Sequence, residues 1–126
     1  MGGTGPEPGV LRSNIRTDLD MLSDPEALRE YERKVPYISV PAEIICNWFD
    51  DHYHPDCPWF RADFTEDELR LLARFNDFYD ERCEDLPTSC VDDLLAVPEW
   101  QEIMVKAAEV LRQLPEPPPS PQSPPA

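Results

Sequence analysis

Apolar residues along this chain recur at three- and four-residue intervals, the period of an amphipathic helix. The strongest signal lies over residues 66–86. Placed at steps of about 100°, Leu69, Leu71, Leu72, Phe75, Phe78, Tyr79, Cys83 and Leu86 fill one half of the wheel. Glu66, Asp77, Asp80, Glu81, Glu84 and Asp85 fill the other half, with Arg70 and Arg74 among them. An apolar arc this wide predicts a central helix touched by several neighbours. Thr65 and Glu68 form a capping box at its start, with Phe64 placed to staple onto Leu69. Pro87 ends it.

The same period predicts four further elements. Leu28, Tyr31 and Val35 follow Ser23-Asp24-Pro25-Glu26, read as a capping box with Pro just inside the helix. Pro36 stops this helix near Lys34, and residues 14–22 add a short turn ahead of it. Pro41 opens a second helix whose face is Ile44, Ile45, Trp48, Phe49 and His52. Pro55 and Pro58 then forbid a regular helix, so residues 53–63 read as an ordered loop carrying Trp59 and Phe60. Ser89 is placed to cap a short helix over 90–96. Pro98 opens the last helix, with Trp100, Ile103, Met104, Ala107, Ala108, Leu111 and Leu114 on its inner face. No run alternates long enough to be a firm strand; residues 34–40 are the sole weak candidate. The predicted fold is all-α, an irregular bundle of four or five helices.

The ends differ in composition. Residues 1–9 hold four Gly and two Pro, and 115–126 (PEPPPSPQSPPA) are more than half proline. The reading is a disordered segment over 1–16, a helical domain over 17–114 and a Pro-rich tail over 115–126. Pro118-Pro119-Ser120-Pro121 fits P-x-x-P, either a ligand for an aromatic groove or a linker. Residues 1–9 have no basic start and no apolar run, and nothing approaches the ~20 apolar residues of a membrane span. A cytoplasmic protein with Cys46, Cys57, Cys83 and Cys90 as reduced thiols is the expectation.

Charge changes the picture most. Of 126 residues, 26 are Asp or Glu and 11 are Lys or Arg, a formal net charge of -15. Such a chain repels nucleic acid and anionic membranes and attracts basic protein surfaces. Residues 43–68 carry eight acids and one base, and 77–93 carry seven acids and one base. Residues 12–34 are nearly balanced, so the charge is concentrated mid-chain. Asp77, Asp80, Glu81 and Glu84 on the polar half of the central helix are the candidate partner-binding residues.

Candidate chemistry is sparse. His52, His54 and Cys57, with Asp50, Asp51 and Asp56, are the alternative: a small metal- or thiol-dependent protein. The spacing matches no standard zinc pattern, and Cys46 lies about 120° from His52 on the wheel. His52 falls on the apolar arc, as a hydrogen-bonded core histidine does. Cys57 beside His52 or His54 would be the enzymatic version, a thiol activated by imidazole. No phosphate-binding Gly-rich loop exists, because every glycine lies in the first nine residues. Adjacent pairs such as Asp50/Asp51 and Asp92/Asp93 do not face each other on a helix. The expectation is therefore a non-enzymatic module without metal or cofactor, neutralising (inhibitor- or immunity-like) or adaptor in character, that binds a basic protein. Arg82, inside the apolar arc, is expected to run its stem along apolar surface to a carboxylate on a neighbouring element.

Overall fold

A computed structural model of the chain describes residues 7–116. The P-x-x-P run and residues 1–6 lie outside them. Seven α-helices follow in order: α1 (Val10–Leu22), α2 (Pro25–Lys34), α3 (Val40–Cys46), α4 (Pro58–Ala62), α5 (Glu66–Cys83), α6 (Val91–Leu95) and α7 (Pro98–Arg112). A π-helical turn, Asn47–His52, continues α3 without a break. Counting α3 with that turn, five helical stretches of ten residues or more form the all-α bundle, and α4 and α6 are single-turn additions. No helix among the described residues is long and apolar enough to cross a membrane.

The helix ends show where side chains replace missing backbone partners. Thr65 Oγ1 accepts from the Glu68 amide, and the Glu68 carboxylate accepts from the Thr65 amide, completing the predicted box. For α2 the cap is Asp24, one residue later than the box reading placed it; its carboxylate accepts from the amides of Glu26 and Ala27. Ser23 instead closes α1, donating to the Asp20 carbonyl. Ser89 does not cap α6. Its hydroxyl bonds Asp93, while the Val91 amide donates to Glu32 of α2 at 2.9 Å.

Three sequence expectations are corrected. Residues 10–16, expected to be unstructured, are the first half of α1, with Ile15 fully buried. Helix starts there because Gly9, at φ 90°, makes the left-handed turn that precedes it, and because Asp63 caps it from 50 residues away. The Asp63 carboxylate accepts from the amides of Gly9, Leu11 and Arg12 at 3.1–3.2 Å. The loop expected over 53–63 contains α4, which buries Phe60 completely and leaves Trp59 51% exposed. Residues 34–40 form no strand; they turn into Ser39, whose hydroxyl caps α3 by accepting from the Ala42 amide.

The core is aromatic-rich. Trp48, Phe60, Phe75, Tyr79 and Trp100 are all buried at the meeting of the π turn, α4, α5 and α7. Trp48 stacks on Tyr53 at 5.1 Å and meets the edge of Phe75 at 5.1 Å. Its indole N–H donates to Asn76 at 3.0 Å, which explains the polar residue near the edge of the α5 arc. Leu71 and Phe78, at the other edge, remain half-exposed because α7 covers only part of that side.

Candidate functional site

Alpha-helix α5 presents its polar half to solvent as the wheel predicts. Asp77, Asp80, Glu81 and Glu84 are all exposed, and so is Asp85. Among the described residues Asp77, Asp80, Glu84 and Asp85 make no ion pair, and Glu81 reaches only its neighbour Arg82, at 3.4 Å. The π turn adds to this surface. Trp48 bonds Asn76, and Phe49 packs on Tyr79 at 4.8 Å, which sets the turn alongside α5. Asp50 and Asp51 on that turn are exposed and unpaired with any Lys or Arg of the described chain. Burial first, and then the charge of Asp77, raise the pKa of the Tyr53 phenol. Burial and then Asp80 likewise raise the Cys83 thiol, which keeps it protonated and unreactive.

On α5 itself Arg70 pairs with Asp67, and Arg74 is exposed without an ion pair among the described residues; most of the other cations are engaged. Arg12 bonds Glu68, Arg29 bridges Glu26 and Asp92, Arg33 pairs with Glu30, and Lys106 pairs with Glu109. Arg82 does reach a neighbouring element, bonding Glu102 of α7 at 2.9 Å, while its guanidinium lies 3.6 Å from the Phe78 ring centroid. That ion pair is half-exposed, so it is a surface clamp between α5 and α7.

His52, His54 and Cys57 are not brought together as a ligand set. His52 Nδ1 lies 2.6 Å from Asp18 Oδ2 of α1. His54 is exposed and Cys57 packs against the core; their hydrogen bond is between backbones, Cys57 N–H to His54 C=O at 3.0 Å. Among the described residues no group of three His, Cys, Asp or Glu side chains is placed to hold a metal ion. The four cysteines are all free thiols.

Sequence reasoning missed Asp18, the buried carboxylate that takes His52. Burial raises its pKa and its bond to His52 lowers it, with burial the larger effect. The signal was present as an acid at the edge of the apolar positions Ile15, Leu19 and Leu22, but residues 14–22 read as only a short turn. Comparison of the chain with family models, with curated proteins and with solved structures finds no match.

Proposed function

We propose that this chain is a protein-interaction module that docks a basic partner through Asp77, Asp80, Glu81 and Glu84, extended by Asp50 and Asp51. The observation that supports the reading is the segregation of charge toward this surface: Asp77, Asp80, Glu84, Asp50 and Asp51 are exposed and in no ion pair among the described residues, Arg82 offsets only Glu81, and Arg74 is the one exposed α5 cation without an ion pair there. Solubility alone does not require that segregation, whereas a steering surface does. A neutralising or adaptor role follows from binding of this kind, in a reducing compartment that suits four free thiols. Nucleic acid is disfavoured as a partner by the net charge of -15.

The test begins with affinity capture by the wild-type chain and by an Asp77→Lys/Glu81→Lys variant, followed by stopped-flow association with the captured protein. Association should slow as salt rises, and slow further in the variant, while dissociation changes less. Circular dichroism should be unchanged, because both substitutions lie on a solvent face. Association rates indifferent to salt and to charge reversal would leave the acidic face as a solubility feature.

A further inference from the structure

A cavity of about 160 Å³ opens between α1, α2 and the α3–π segment, well above the volume one water needs. Thr17, Asp18, Tyr31, Asn47 and His52 give it a polar side. Met21, Leu22 and Ile44 give it an apolar side. None of the acids of the proposed docking face lines it, so the two sites stand or fall separately.

Several of the polar groups make no bond within the described chain. The side chains of Thr17, Tyr31 and Asn47 have no hydrogen-bond partner among the described residues, although Tyr31 and Asn47 are half-buried. Asp18 uses Oδ2 on His52 Nδ1 at 2.6 Å, which leaves Oδ1 and the imidazole Nε2. All five side chains can therefore accept a hydrogen bond: two hydroxyls, a carboxylate, an amide oxygen and, on neutral imidazole, a ring nitrogen. No Lys or Arg of the described chain lies within ion-pair distance of Asp18. The adjacent backbone is π-helical, a geometry that is rare and recurs at binding sites.

A largely apolar cavity with one buried carboxylate and no cation of the described chain beside it selects a positively charged ligand with a short apolar chain. The geometry points to a binding site for a small primary alkylammonium, its charged head on Asp18 and its chain on Met21, Leu22 and Ile44. Three N–H donors match the carboxylate, the Asn47 oxygen and one hydroxyl. The negative field of the chain enriches cations at the entrance and repels a carboxylate ligand of equal size. The volume of about 160 Å³ has room for n-butylammonium. A free amine and a lysine side chain of a bound protein share this chemistry.

The test is an amide-shift NMR titration of the full chain at fixed ionic strength, with sodium chloride exchanged for n-butylammonium chloride. Saturable shifts centred on residues 17–22, 31, 44–47 and 52, with a dissociation constant in the millimolar range, are expected. Butanol and butyrate should produce none of comparable size. Asp18→Asn should weaken binding by at least about tenfold, the scale of a lost charge-assisted bond. Asn47→Leu, which leaves the Asp18–His52 pair intact, should weaken it as well and guards against misfolding of the first variant. Nα-acetyl-lysine methylamide distinguishes the sources: tighter binding than butylammonium assigns the site to a lysine side chain, weaker binding to a free amine. Equal response to butanol, shifts spread linearly over the Asp77–Glu84 surface, or no response to any amine would overturn the site.

Discussion

Arg12 of α1 and Glu68 of α5 form a two-pronged bond, Nη1 to Oε1 at 2.7 Å and Nη2 to Oε2 at 2.9 Å, with only 10% and 14% of the two side chains exposed. The same guanidinium donates to the carbonyls of Asp63 and Pro115, at 3.1 Å and, at its shortest, 2.6 Å. One arginine thus ties the first helix, the start of the central helix and the segment after the last helix to one another. Glu68 serves twice, since it is also the capping-box partner of Thr65. Planar, forked donors suit this task, and a lysine could not span it.

Removal of either partner leaves a nearly buried charge unmatched. Arg12→Ala is expected to cost about 3–5 kcal/mol, the range for breaking a buried pair. Arg12→Lys should recover only part of it. Urea unfolding of both variants measures this, and a loss below about 1 kcal/mol for Arg12→Ala would place the pair among surface bridges. Truncation after Leu114 should also lower stability, because Pro115 accepts from Arg12. Glu116 adds a further link, paired with Arg16 at 3.5 Å.

Acid titration should separate two carboxyls of opposite sign. The hydrogen bonds from Arg12 hold the Glu68 carboxyl below its usual range. Its contribution is fully present above the unfolded value of about 4.3 and is lost as pH falls through the lower folded value. Asp18 is shifted upward, by burial first, so its folded form gains relative stability as pH falls from the raised value toward about 3.9. Glu68→Gln should flatten the acid limb of a plot of stability against pH, and Asp18→Asn should steepen it. Parallel limbs in all three proteins would refute both assignments.

Leu72 and Phe75 point into the centre of the bundle and are essentially unexposed. Each substitution by Ala should cost about 2–5 kcal/mol through lost transfer energy and an unfilled cavity. Losses near those of surface substitutions, below about 1 kcal/mol at both, would contradict the position of α5.

Tyr79 is fully buried, and its hydroxyl has no hydrogen-bond partner among the described residues. Burial drives its pKa well above the ordinary value. Tyr79→Phe removes an unpaired polar atom and keeps the ring contacts with Phe49, Phe75 and Trp100. It should raise the melting temperature or leave it unchanged, since a buried unsatisfied hydroxyl costs about 1–3 kcal/mol. A clear loss of stability would mean that the hydroxyl is satisfied in solution.

The sequence alone determined the longer helices from α2 onward and their inward faces, but not the first half of α1 or α4. Prolines at 25, 41 and 98 mark first turns, Thr65 and Glu68 announce their own box, and the α5 wheel separates Leu72 and Phe75 from Asp77 and Asp80, whereas Pro58, read as a breaker, opens α4. These are local properties, readable because backbone geometry fixes which residues share a face. Only the tertiary structure decided what meets across the bundle. Asp63 reaches back to cap α1, Glu32 reaches forward to the Val91 amide, Arg12 finds Glu68, and Asp18 finds His52. Each pair lies between 34 and 59 residues apart. A helical wheel shows that a polar residue sits near the core but not which residue it will face. That choice depends on how the helices cross, and the crossing is set by the summed packing of Trp48, Phe60, Phe75, Tyr79 and Trp100 rather than by any local pattern.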